Sequence, residues 1–277
     1  LPRGEEECSR LSIREALEDL ICQRTRLHEP LLLSRRLVQV QEAIREAQSS
    51  ALVGPNVVNK ALPYVGGGMV LTAGGVMGGL ALMASNPALF MPLFWVALIG
   101  NFILFFAAQN VAMKGNNGTA LPLLAAYSLI TGYTLSGLVA MAIGTAGIGA
   151  IGTAALATGI TFVAASVMGR RMSDSVGQAL SGVVGLGIIG LVIAMLVQIV
   201  GGIFVPGFGM GGMELLIAGF GTVIFVGAAF VDFYTMPRTY SDDQYLAGAL
   251  GMYLTYINLF IFILRLVIAL NGGGRRD

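Results

Sequence analysis

The sequence predicts an all-α polytopic membrane protein with seven transmembrane helices, and three observations predict it. The chain is 56% hydrophobic and only 11% charged, against roughly 25% charged residues in a soluble domain. Its charge is lopsided: residues 1–60 carry nine basic and nine acidic side chains, and the rest of the chain carries thirteen. Past that boundary, apolar stretches recur at the length of about 20 residues that crosses roughly 30 Å of hydrocarbon.

Residues 1–50 read as a polar N-terminal extension, either short amphipathic helices or disordered chain. Ser12 and Glu15 fit a capping box ahead of the apolar stripe Ile13, Leu17, Leu20 and Ile21, and a second amphipathic segment runs over about 37–47. Cys8 and Cys22 match neither a disulfide framework nor a metal spacing, and His28 reads as a solvated loop residue. No basic end followed by an apolar run marks a secretory signal.

From residue 51 to 271 the chain reads as one seven-span domain, with 272–277 as its tail. The apolar segments lie at 61–83, 89–112, 119–143, 148–168, 176–201, 212–236 and 246–270. Short connections separate them, such as Ser85-Asn86-Pro87 and Pro237–Asp243. The fourth segment, rich in Ala, Gly and Thr, has the weakest signal. Gly74/Gly78 and Gly75/Gly79 form two GxxxG pairs in the first span, a helix-packing device that serves a monomer as well as a dimer.

With seven spans, Lys60, Lys114, Arg170, Arg171 and Arg238 fall on the N-terminal side, and the three opposite loops contain no Lys or Arg. That asymmetry predicts a cytoplasmic N-terminus. Only Arg275 and Arg276, in the tail, fall on the other side.

Asp232 stands out chemically, because an ionisable group inside an apolar helix is costly and marks a functional site. It is a candidate proton-sensitive switch or ion-pathway residue; a carboxylate satisfied by headgroups or hydroxyls is the alternative. Arg265, near the far end of the seventh span, is expected to snorkel to the interface, away from Asp232. Glu214 is expected to be interfacial. Polar residues also fall within spans: Tyr127, Ser128, Thr131, Tyr133, Thr134 and Ser136 in the third, and Thr255 and Asn258 in the seventh. A Ser or Thr commonly bonds back to its own helix, and the density in the third span suits the lining of a polar interior path.

Catalysis is not expected. No span contains a His to activate a nucleophile, a second membrane carboxylate for an aspartyl protease is missing, and no metal-ligand or phosphate-loop motif occurs. No basic stripe interleaved with aromatics invites nucleic acid.

Three segments resemble the transmembrane Bax inhibitor motif family. Tyr127-Ser-Leu-Ile-Thr-Gly-Tyr-Thr-Leu-Ser136 resembles its aromatic/Thr-Gly-x-x-Leu-Ser pattern, through Gly132, Thr134 and Ser136. Phe230-Val-Asp-Phe-Tyr234 is similar to its sixth-helix aspartate motif and places Asp232 on that aspartate. Ala249-Leu-Gly-Met-Tyr-Leu-Thr-Tyr-Ile-Asn-Leu-Phe260, continuing to Leu264-Arg265, follows its seventh-helix run. Ala51–Asn59 looks most like a bacterial, cyanobacterial branch, which implies the inner membrane.

The resemblance implies a fold whose last helix is central, enclosed by the other six. It implies a cation leak, for calcium above all, serving ion homeostasis or stress response. Calcium would be a transient ligand, and no cofactor is expected. The alternative it implies is a non-conducting regulator of a membrane-bound protease or stress complex. A transporter is a weaker reading, with no inverted repeat to support it. The family's pH sensing rests on two aspartates, and Thr255 stands where the second would be. A lone carboxylate lacks the like-charge interaction that holds a shared proton, so the resemblance by itself does not imply the pair's pH switch or its divalent-ion affinity for this chain. Asp232, Thr255 and Asn258 remain the ion-pathway candidates.

Overall fold

The structure, a computed structural model, describes residues 38–41, 52–205 and 212–272. The amphipathic segments read at 12–21 and 37–47 lie outside the described residues, apart from a helical turn at 38–41, as do Cys8, Cys22, His28 and the basic tail. A compact unit begins at Leu52. Its helices are α1 (Val57–Ser85), α2 (Pro87–Met113), α3 (Asn117–Ala146), α4 (Gly149–Met168), α5 (Asp174–Phe204), α6 (Gly212–Thr239) and α7 (Tyr245–Gly272). All seven are long and apolar enough to cross a membrane, and the Ala-, Gly- and Thr-rich fourth is a helix of 20 residues like the rest in character.

The turns between them follow from local sequence. Asn86-Pro87 stops α1 and starts α2, since Pro at the first helical position gives up a donor that had no intrahelical partner. Asn116 caps α3 by accepting from Thr119 N–H at 3.3 Å. Gly147, at φ 79°, ends α3 in the left-handed region that favours glycine. Ser241 and Gln244 form a reciprocal capping box on the short 3₁₀ turn before α7.

One boundary corrects the sequence reading. Pro237 was expected to end the sixth span at 236, but α6 runs on to Thr239 with Pro237 inside it. In the last turn a proline removes a single ladder bond. The Pro237 carbonyl is also used, accepting from Val53 N–H at 2.9 Å and Gly54 N–H at 3.0 Å.

α7 is the central helix, packed against α1, α2, α3, α4 and α6. Leu246, Leu250, Met252, Tyr253, Leu259 and Leu264 along it are all but inaccessible. α5 departs from a simple ring of six: it packs mainly on α6. Outward positions such as Val70, Phe102, Leu186 and Phe204 are exposed and apolar, as helices facing lipid require.

Glycine decides how α1 meets α3. A Cβ at Gly75 would overlap the Leu129 carbonyl and stand 3.0 Å from Gly132 Cα, and one at Gly132 would overlap the Thr72 carbonyl. Gly79 abuts Ser136 in the same crossing. Gly74 and Gly78 have open space around them. Of the two GxxxG pairs, Gly75/Gly79 is therefore the packing one, and it works within the monomer.

The polar turns meet at one end of the bundle. Asn56 donates from its backbone and side chain to the Asp242 carboxylate at 3.0 and 3.2 Å, and Lys60 lies 3.7 Å from it. Asn117 donates to the Asp243 carbonyl at 2.9 Å and Gln244 to the Met113 carbonyl at 2.7 Å. Arg170 reaches Asn59 at 3.2 Å. The five basic residues of the charge asymmetry thus belong to the end where the N-terminal edge of α1 lies.

Candidate functional site

Asp232 sits on α6 seven residues before its end, about 10 Å along the helix axis. The residue keeps some exposed surface, but the carboxyl is enclosed by protein, and Oδ2 is buried without a hydrogen-bond partner among the described residues. Thr255 of α7 presents its hydroxyl to the carboxyl. Gly251, one turn earlier on the same face of α7, leaves open space where a Cβ would be. Around this segment the packing is aromatic: Phe233 lies 6.0 Å from Phe162, centroid to centroid, and Phe162 lies 4.8 Å from Tyr256. Gly169 allows the close approach, since a Cβ there would press on the Phe230 carbonyl and Phe233.

The other predicted residues separate into different jobs. Asn258 donates to its own helix at Leu254, 2.8 Å away. Thr134 bonds back to Thr131 at 2.9 Å. Gly132 and Ser136 serve the α1–α3 crossing. The remaining polar residues of α3 do not gather around Asp232. Thr72, on α1, shares a 2.6 Å hydrogen bond with Tyr253 OH and also donates towards the Gly68 and Ser128 carbonyls at 2.8 and 3.2 Å. Thr131 donates to Asn101 Oδ1 at 3.1 Å. This network ties α1, α2, α3 and α7 together on another face of the central helix.

Arg265 corrects its sequence expectation. It does not snorkel: Nε and Nη2 donate to the two oxygens of Glu214 at 2.7 and 2.8 Å, and Gln198 of α5 donates to the same carboxylate at 2.8 Å. Eighteen residues of α6, about 27 Å, separate Glu214 from Asp232, so the two acids lie near opposite ends of the helix. A bidentate guanidinium–carboxylate pair at 18% and 28% exposure satisfies both charges more fully than the interface offers one of them.

Sequence reasoning also missed Asp174. This first-turn acid of α5 takes Arg238 Nη2 at 3.0 Å and Tyr234 OH at 3.1 Å, with the guanidinium 4.0 Å from the Tyr234 ring centroid. The signal available was an acid at a helix start on the same side as the basic loops.

A cavity of about 400 Å³ opens between α1, α3, α4 and α7, lined by apolar groups such as Met69, Leu135, Ile151 and Phe260. Asp232 and Thr255 are not among its lining residues. Among the described residues no group of three or more His, Cys, Asp or Glu is placed to hold a metal.

Comparison with known proteins adds relatedness to this geometry. Residues 54–272 match the family model described as inhibitor of apoptosis-promoting Bax1. The chain is similar to the Lactococcus lactis protein YrjE, 30% identical over 70% of this chain and 79% of that one. It is equally similar to a membrane protein of Streptococcus pyogenes serotype M1, 30% identical over 68% of this chain and 77% of that one. A shorter segment is 38% identical to Bax inhibitor 1 of Schizosaccharomyces pombe, over 20% of this chain and 21% of that one.

Proposed function

The chain belongs to the family of inhibitors of apoptosis-promoting Bax1, and from that premise we propose that it is a passive cation leak in which Asp232 is the ion-binding residue. The observation carrying this reading is the buried, unpartnered Oδ2 of Asp232. A carboxylate with one buried oxygen left without a partner inside a packed bundle is a liability for folding alone. Of the four other acids between residues 52 and 272, Asp174, Glu214 and Asp242 each hold a cationic partner, and Asp243 is exposed. The conformation is closed at Asp232, so conduction requires α6 and α7 to part beside Thr255.

The role is non-catalytic, and the site is a transit point, not a cofactor centre. Lys60, Lys114, Arg170, Arg171 and Arg238 support a cytoplasmic N-terminus by their asymmetry, which puts Asp232 nearer the cytoplasmic face. The bacterial relatives, one of them named as a membrane protein, support a bacterial plasma membrane as its location.

The test is cation flux into proteoliposomes holding wild type or Asp232→Asn. Flux that wild type supports and Asp232→Asn abolishes is the expected result. Equal flux in both removes Asp232 from the pathway. No flux in wild type, with a membrane protease co-purifying, replaces the leak by the non-conducting regulator.

A further inference from the structure

We propose that the Asp232 site is built for one unit of positive charge, so that it passes monovalent alkali cations and discriminates against divalent ones. The inference rests on the leak reading above and names the class of ion that the site takes.

Between residues 52 and 272 the sequence holds five acids: Asp174, Glu214, Asp232, Asp242 and Asp243. Asp174 is held by Arg238, Glu214 by Arg265 and Asp242 by Lys60. Asp243 is exposed in the turn before α7. Asp232 therefore faces any ion as a single negative charge, accompanied by the neutral Thr255 hydroxyl. A monovalent cation there leaves the buried site neutral. A divalent cation leaves one uncompensated charge in a low-dielectric surround, where net charge is expensive.

Ligand charge points the same way. Calcium's stronger sites use several carboxylates. Asp232 brings one carboxylate and Thr255 one neutral hydroxyl, and the Asn258 amide is turned to its own helix at Leu254.

Two readouts test this on the full chain. In proteoliposomes, the Asp232-dependent flux (wild type less Asp232→Asn) is measured for sodium, potassium, calcium and magnesium at equal driving force. In detergent, the unfolding midpoint is measured against each chloride salt at matched ionic strength. Sodium or potassium is expected to exceed calcium and magnesium by at least roughly tenfold in flux, and to give the Asp232-dependent stabilisation. Thr255→Asp, which adds a second carboxylate, is expected to shift both readouts toward calcium; Thr255→Asn, of similar size and neutral, is not. Asp232-dependent calcium flux equal to that of sodium overturns the inference while leaving the leak intact. Absence of any Asp232-dependent flux and stabilisation, for all four ions, overturns the leak and this inference with it.

Discussion

The Glu214–Arg265 pair gives the sharpest prediction about what holds the bundle together. Its two hydrogen bonds, at 2.7 and 2.8 Å, join the first turn of α6 to the last third of α7, and Gln198 brings α5 to the same carboxylate. An exposed ion pair contributes about 0.2–1 kcal/mol, and breaking a fully buried one costs about 3–5 kcal/mol. At 18% and 28% side-chain exposure this pair lies between those limits. Glu214→Gln, which leaves the guanidinium enclosed without its carboxylate, should therefore cost about 2 kcal/mol. Arg265→Gln should cost a similar amount, and the double variant should cost clearly less than the two together, since no orphan charge remains. The assay is a double-mutant cycle by reversible unfolding in mixed micelles, followed by helical circular dichroism. Single costs that add to within about 0.5 kcal/mol of the double would refute the coupling and the reasoning from burial.

Three further outcomes follow from individual contacts. Gly132→Leu should lower the unfolding midpoint sharply, because its side chain meets the α1 backbone, while Gly137→Leu, which has open space around it, should not; thermal unfolding of the pair in detergent decides it. Arg238→Lys should destabilise by about 1–2 kcal/mol, because an ammonium cannot hold Asp174 and the Tyr234 carbonyl at 2.7 Å while stacking on the Tyr234 ring; chemical unfolding measures the loss. Asp232→Asn should unfold later than wild type while losing flux, since it removes a buried unpaired charge; an earlier midpoint would mean that the carboxylate has a structural partner.

The span count was legible because hydropathy over about 20 residues is a local property. Asp232 was legible for the same reason, as a charge in an apolar run, and motif register placed Thr255 opposite it. What stayed hidden was long-range. Arg265 and Glu214 are 51 residues apart, and each alone reads as an interfacial residue. Their pairing becomes visible only once α6 and α7 are laid antiparallel with Met236 against Gly248 and Gly221 against Phe262. The signal was a first-turn acid on one helix of a hairpin and a single base on the other. Thr72 and Tyr253, 181 residues apart, offered no such cue, because a hydroxyl in a membrane helix is satisfied by its own backbone in most settings. Pro237 misled for a local reason: a proline in a final turn costs so little that sequence rules overstate it as a stop.

α7 is where these observations combine. Tyr253 and Thr255 are two residues apart, hence about 200° around the helix. One side chain turns to Thr72, in the network that ties α1, α2 and α3. The other faces Asp232 on α6. The central helix thus holds α1 and α3 through its Tyr253 side and meets the Asp232 carboxyl through its Thr255 side, while Arg265 holds Glu214 of α6 towards the far end. In the proposed leak, α6 parts from α7 beside Thr255 without breaking the hydrogen bonds that hold α1 and α3 in place, and the Glu214–Arg265 pair keeps the two helices joined at the other end. Its consequence is measurable. Tyr253→Phe should cost about 1 kcal/mol of stability and leave cation flux unchanged, Asp232→Asn should do the reverse, and the double variant should show both effects in full. A strong interaction between the two substitutions in either readout would mean that the faces move together, and that the bundle opens by some route other than the α6–α7 seam.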